Sequence, residues 1–463
     1  MSKTASSLEN VLSRASKLVT PSLLEIKKLQ EVALNVSALI KEALDKESAD
    51  PRPEIVLGGS YARGTWLKGS HDIDFFLLYP VEFSREKLES VAIRSISEAV
   101  KGYEVNLRYA EHPYVEAFVD NVRVNLVPCY KVTQGEWRSA ADRSPFHTKY
   151  IASKLDEKLK LEARLFKKFV KATGVYGAEV KVQGFSGYVC EVLIIWKGSF
   201  VGVLQALSRI RPGEVISLES YDKDLAASFQ SPLVVLDPVD TTRNLGTAIS
   251  PRNVAKLVLQ SRRFLSNPAL SFFLSKKIKK PTLNSKTREL FSNLLVVSFN
   301  NEKRSPDIRW GQLRRSVDAI SDKLSRFGFL VLRSRAASDE QTHSALLFLL
   351  ADDKLGKLHS RKGPEYYRES EVSSYYSKNK ARAILTWIGE DGRIESIFER
   401  DSTSAPKYLE KLLSRERLDS VGLSEEIKKE IRKNHRISVG LKILKSSRGD
   451  WLDNEIIALV TDE

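Results

Sequence analysis

GGSYARGTWLKGSHDIDFFLLYP, residues Gly58 to Pro80, is the stretch from which the rest of the chain is read. Gly58-Gly59-Ser60 are small enough for backbone N–H groups and a hydroxyl to close on a phosphate. Arg63 follows within one helical turn, which would set its guanidinium beside the same anion. After the loop Lys68-Gly69-Ser70-His71, the run from Asp72 to Tyr79 reads as a buried strand. Alternate side chains on a strand share a face, so Asp72 and Asp74 project together while Ile73 and Phe75 point the other way. Adjacent carboxylates repel unless a cation sits between them, and Mg²⁺ takes carboxylate and phosphate oxygens together. Each half alone is ordinary, because Asp-x-Asp occurs at solvated strand ends and Gly-Gly-Ser in many turns. Their order, with Phe75, Phe76, Leu77 and Leu78 directly behind the acids, points to a site that handles phosphate.

A chain of 463 residues exceeds one ordinary core and suggests about three domains. Its 42% hydrophobic and 29% charged content is that of a globular protein in water. A formal net charge of +15 implies a polyanionic partner. No apolar run approaches the ~18 residues that span a bilayer, and no signal-peptide pattern opens the chain. The expectation is therefore a cytoplasmic protein without a membrane role, with nucleic acid as the polyanion. Cys129 and Cys190 sit in apolar sequence and read as small core residues rather than a disulfide or zinc site.

Residues 5–47 show helical periodicity. Thr20-Pro21 offers a cap and first turn for a second helix, with Leu29, Val32, Leu39 and Ile40 inward. Strand Ile55-Val56-Leu57, a helix from Ser84 to Lys101 and a strand from Tyr103 to Tyr109 follow. Strands Tyr114–Val119 and Val122–Val127 are joined by an Asp120-Asn121 turn. A long helix is expected from Ser153 to Thr173, and a second, apolar almost all round and so buried, from Tyr188 to Trp196. Leu233–Leu236 reads as a strand, and Asp237-Pro238-Val239-Asp240 as a turn before a helix start. Further on, Leu294–Phe299, Trp310–Phe327 and Phe329–Leu332 make a β-α-β pattern, with another strand at Ala345–Leu350. Charge runs at Lys276–Lys280, Arg314-Arg315, Lys428–Lys433 and Lys442–Arg448 are individually solvated faces, but together they make an RNA-facing groove credible.

The stretch Gly58 to Pro80 resembles the nucleotidyltransferase superfamily, and most closely the archaeal (class I) CCA-adding enzymes. Val127-Pro128-Cys129-Tyr130, Asp142–His147, Lys181–Trp196 (KVQGFSGYVCEVLIIW) and Asp237–Asn244 (DPVDTTRN) match the same family, and the match weakens to pattern beyond about residue 285. The resemblance implies an α+β fold: a nucleotidyltransferase head with a mixed five-stranded sheet (1–149), a helical neck for base recognition (150–284), an α/β body that binds RNA (285–350), a small tail (351–410) and a C-terminal return to the body (411–463). Arg361-Lys362-Gly363-Pro364 matches a family loop before a helical tail.

The resemblance also implies roles. Asp72 and Asp74 would bind two Mg²⁺ ions. Gly59, Ser60, Arg63, His147, Lys167 and Tyr176 would hold the triphosphate, and Arg243 would read the base of CTP or ATP. The third carboxylate of the family, two residues before Val127, is Asn125 here, and Asp120 lies out in the turn, so no neighbouring acid obviously replaces it. The implied activity is template-independent addition of CCA to the 3′ end of tRNA, gripped at its acceptor and T-arm half, and a homodimer is left open. Asn125 keeps two alternatives in play, a tRNA-binding relative impaired in catalysis or an engineered inactive form; a third, another polymerase of the superfamily such as a poly(A) polymerase, would share the head.

Overall fold

The computed structural model describes residues 3–46, 52–109, 113–275, 285–440, 443 and 449–461. They form two compact units, residues 1–276 and 277–463.

The first unit is built on a mixed sheet of β1 (Glu54–Gly58), β2 (Asp72–Tyr79), β3 (Glu104–Tyr109), β4 (Pro113–Val119) and β5 (Val122–Tyr130), in the order β1-β2-β5-β4-β3. Only β2 and β5 are parallel. The five-stranded mixed sheet agrees with the expectation. Asp120 and Asn121 take φ of 51° and 61°, the left-handed pair that a tight hairpin between β4 and β5 needs, and short polar side chains tolerate it. One face of β2 (Ile73, Phe75, Leu77) is wholly buried against the helix Leu23–Lys46. That helix presents Leu29, Val32, Val36 and Ile40 inward. Leu39, expected inside, is only half-buried, because the i, i+4 series 32, 36, 40 is the one that faces the sheet.

The cap of this helix also differs from the expectation. Ser22, not Thr20-Pro21, begins it, through the Ser-x-x-Glu box. The Ser22 N–H and hydroxyl donate to Glu25 Oε2 at 2.8 and 2.7 Å, and the Gly69 N–H donates to Oε1 at 2.8 Å. Glu25 thus caps its own helix and pins the loop that leads into Asp72. Burial would raise its pKa, but these bonds outweigh it and hold the carboxyl at about 2. A depressed pKa gives stability that is present above the ordinary value of 4.5 and lost as pH falls through about 2. Glu25→Gln should therefore lower the melting temperature of the first unit at neutral pH, by the equivalent of about 1 kcal/mol for a weakened cap. The gap to wild type should close between pH 4.5 and 2. A gap unchanged across that window would show that the charge of Glu25 is not what holds the loop.

The helical part of this unit contains Arg143–Lys154, Glu157–Thr173, Gly187–Lys197, Phe200–Leu207 and Pro251–Ser266. Phe169, Phe200, Phe264 and Phe273 pack edge-on in its core, and the first helix, Lys3–Val19, adds Val11, Ala15 and Val19. The helix expected from Ser153 begins at Glu157, because Asp156 caps it by accepting from the Leu159 N–H at 2.8 Å. Cys129 and Cys190 are free and buried. Asp237–Asn244 holds no helix start: Asp240–Asn244 is a strand folded back antiparallel on Val234–Asp237, so Arg243 lies on a hairpin arm. No single helix among the described residues is long and apolar enough to cross a membrane.

The second unit pairs the strands Val331–Ser338, His343–Leu350, Leu294–Asn300 and His435–Val439 into an antiparallel sheet in that order. Helix Pro306–Phe327 packs on it. The β-α-β pattern therefore closes with its two strands on either side of His343–Leu350. A second sheet joins Leu358–Glu365, Arg393–Glu399 and Leu385–Ile388. The run Arg361–Pro364, expected as a loop, lies inside the first of these strands, where Arg361 and Lys362 pair with Ser396 and Glu395. Lys276–Lys280 lies outside the described residues, as does all of Lys442–Arg448 except Ile443.

Candidate active site

The acid face is set by register. Across the parallel pair β2·β5, Asp72 stands opposite Arg123 and Asp74 opposite Asn125. Across β4·β5, Asn125 stands opposite Glu116. Residues paired in this way share a face. Arg123 Nε donates to Asp72 Oδ1 at 2.9 Å and Asn125 Nδ2 to Asp74 Oδ1 at 2.8 Å. Burial pushes the Asp74 carboxyl up, with the Asn125 amide and the Arg63 charge pulling against it. Above Asp74 the chain turns at Gly59, with φ +64°. A Cβ there would lie 1.7 Å from Asp74 Oδ2, so only glycine lets the turn close over the acid. Glu116, the acid next to Asn125, is buried and spoken for: Arg108 Nη2 and Nε donate to it at 2.7 and 3.0 Å.

Gly59–Ala62 is a single helical turn, and Arg63 and Thr65 donate their N–H groups back to Gly59 and Ser60 carbonyls. Arg63 is buried, with Nε 2.8 Å from Glu191 Oε2 and Nη1 3.5 Å from Thr148 Oγ1. Lys167 is 1% exposed. Its Nζ donates to Glu191 Oε1 at 2.7 Å, to Thr65 Oγ1 at 2.9 Å and to the Thr65 carbonyl at 3.3 Å, which accounts for all three of its N–H bonds. The Tyr176 hydroxyl and Lys167 Nζ both border the space at Gly187, where a Cβ would come within 2.8 and 3.5 Å of them.

A second cluster forms around Asp237, which is fully buried. His147 Nε2 lies 2.8 Å from its Oδ2, the Tyr188 hydroxyl donates to Oδ1 at 3.1 Å, and Arg243 Nη1 approaches to 3.5 Å. The His147 and Tyr188 rings stack with centroids 4.0 Å apart. Arg63 links the groups electrostatically, since its charge acts on Asp74, Tyr176 and Tyr188 alike.

The structure thus joins Gly59, Asp72, Asp74 and Asn125 at the sheet, Arg63, Lys167 and Tyr176 around Glu191 and Gly187, and His147 with Arg243 at Asp237. Sequence reading missed Glu191, Asp237, Arg123 and Glu116. Glu191 had a signal, as the lone acid in an otherwise apolar helix, and Arg123 had one too, two positions before Asn125 on the same strand face. Nothing local marked the partner of Glu116.

A Gly-Gly-Ser turn closed over same-face carboxylates on a five-stranded mixed sheet is the head of a nucleotidyltransferase, and the family model described as nucleotidyltransferase domain matches residues 36–151. The models for the tRNA nucleotidyltransferase second domain and the CCA-adding enzyme C-terminal domain match residues 161–274 and 292–440. The CCA-adding enzyme of Saccharolobus shibatae is 38% identical over 85% of this chain and 90% of its own length. That of Pyrobaculum islandicum is 37% identical over 89% and 94%. The chain belongs to the CCA-adding enzyme family. A solved structure of the Cid1 poly(U) polymerase overlays with a TM-score of 0.46 at 15% identity, covering 57% of this chain and 98% of that one.

Proposed function

We propose that this protein adds CCA to the 3′ end of tRNA from CTP and ATP. The observation that carries the reading is the Asp72–Asp74 face under the Gly59 turn, in a chain related over most of its length to CCA-adding enzymes. Asp72 and Asp74 fit a Mg²⁺ ion, which is held by one or two carboxylates and completes its shell with substrate phosphates and water. Among the described residues no three acids, histidines or cysteines converge on one point, so a second ion would find only the neutral oxygen of Asn125 beside the pair. The metal, when bound, would favour ionisation of the primer 3′-hydroxyl and neutralise the departing pyrophosphate.

The chain's own groups do the rest. Ser60 and Arg63 take the triphosphate at the turn, with the Tyr176 hydroxyl close against Gly187. Lys167 contributes its charge from behind. Arg243, held on the hairpin by Asp237, presents donors to the base edge. Asp237 in turn orients His147 and Tyr188. RNA is held through its phosphates by the basic surface, in keeping with the net charge of +15. One observation favours a slower enzyme that binds well: Asn125 donates to Asp74 where the family pattern has an acid.

The test is incubation with tRNA lacking its 3′ CCA, with labelled CTP alone, ATP alone, or both. The expected result is two C residues from CTP, no A from ATP alone, and full CCA from both, with tRNA binding that weakens steeply as salt rises. Long A tracts from ATP alone would assign the chain to another polymerase class. No incorporation, with salt-dependent tRNA binding intact, would leave the binding function only.

A further inference from the structure

The charge cluster behind the phosphate turn is not accounted for by phosphate contact. Glu191 is fully buried on helix Gly187–Lys197, among the apolar Val189, Cys190, Val192, Leu193 and Ile194. A lone carboxylate in such a place would be driven neutral. Here its two oxygens are divided between two cations, Oε2 to Arg63 and Oε1 to Lys167, and the Thr65 hydroxyl also donates to Oε1. Burial alone would raise its pKa, but Arg63 and Lys167 hold it below the usual carboxylate range. With all three of its N–H bonds used on Glu191 and Thr65, Lys167 ties the segment behind the turn to the helix.

We propose that Glu191 is the positioning residue of the nucleotide site, holding Arg63 and Lys167 side by side in their charged forms so that the guanidinium is set before a triphosphate arrives. The inference rests on the reading above that Arg63 contacts the triphosphate. A carboxylate 2.8 Å from Arg63 Nε holds the guanidinium by charge, which a neutral amide does not. The charged or titratable groups facing Lys167 are Arg63, Glu191, Cys190 and Tyr176. Burial keeps the thiol and the phenol neutral, which leaves Glu191 as the counter-charge. Remove it, and two cations confront each other away from water. Lys167, whose pKa burial already lowers, then holds its proton less firmly as pH rises.

The experiment is calorimetric titration of the full-length protein with CTP at pH 7 and pH 9, with melting temperature and tRNA affinity measured alongside. Wild type should bind CTP about equally at both. Glu191→Gln should bind CTP about tenfold or more weakly at pH 7, as expected for a lost charge-assisted contact, and more weakly again at pH 9, with tRNA affinity unchanged. Should that variant fail to fold, Glu191→Gln combined with Lys167→Met removes both charges, and should show the weak binding without the pH dependence. Wild-type CTP affinity in either folded variant overturns the proposal. A loss in Glu191→Gln that is flat with pH makes Glu191 a packing residue and overturns it too. Arg63→Ala separates the two readings. If it binds CTP normally, the nucleotide contact and the inference fall together. If it binds weakly while both Glu191 variants bind normally, only the inference falls.

Discussion

Asn125→Asp should raise CCA addition by about 10²-fold or more at saturating tRNA and CTP, the usual scale for restoring a positioned acid–base group. The prediction follows from register. Asn125 lies between Asp74 and Glu116 on one face, and its amide now donates to Asp74. An aspartate would replace that donor with a charged acceptor, able both to hold a divalent ion and to favour the deprotonated 3′-hydroxyl. The groups assigned to the triphosphate and base are untouched, so CTP and tRNA affinities should change little. A second readout is independent of turnover. Without divalent metal the new carboxylate faces Asp74 with no hydrogen between them, so the melting temperature should fall, and Mg²⁺ should restore it. Single-turnover rates of the two proteins decide the matter. Equal rates would mean that another group already serves, and Glu116 would be the first to examine, since it stands next in register although Arg108 now holds it.

Gly59→Ala should abolish most activity, lowering the single-turnover rate by about 10²-fold or more. Two costs combine there. The φ of +64° strains any residue with a side chain by about 1–2 kcal/mol. The new methyl would also lie 1.7 Å from Asp74 Oδ2, so either the turn or the carboxylate must move by an ångström or more. Misplacement on that scale is enough to cost two orders of magnitude in rate. Gly198→Ala is the control. Gly198 caps the helix Gly187–Lys197 at φ +68° with nothing within 4 Å of its would-be Cβ, so it carries the strain without the collision. It should lose a similar amount of stability and keep its rate. Equal rates in the two variants would show that the Gly59 turn does not position Asp74.

Much of this was present in the order of residues. That Asp72 and Asp74 share a face opposite Ile73 and Phe75 follows from the two-residue repeat of a strand. The helix begun at Ser84 is equally local, because the Ser84 hydroxyl accepts from the Lys87 N–H three residues on. Such features need only neighbours in sequence. The register of β2 against β5 needs more, and it decides that Asp72 meets Arg123 and Asp74 meets Asn125. The turn at Pro238-Val239 is local, but whether a strand or a helix follows depended on Val234–Asp237 being there to pair with Asp240–Asn244. Glu191 shows the division most sharply. Its place on an apolar helix marks it as buried, and burial of a carboxylate demands cations, but which ones is a question of approach in space. Arg63 comes from the end of the Gly59–Ala62 turn and Lys167 from the helix Glu157–Thr173. Local periodicity fixes which way a side chain points, and only tertiary packing decides what it meets there.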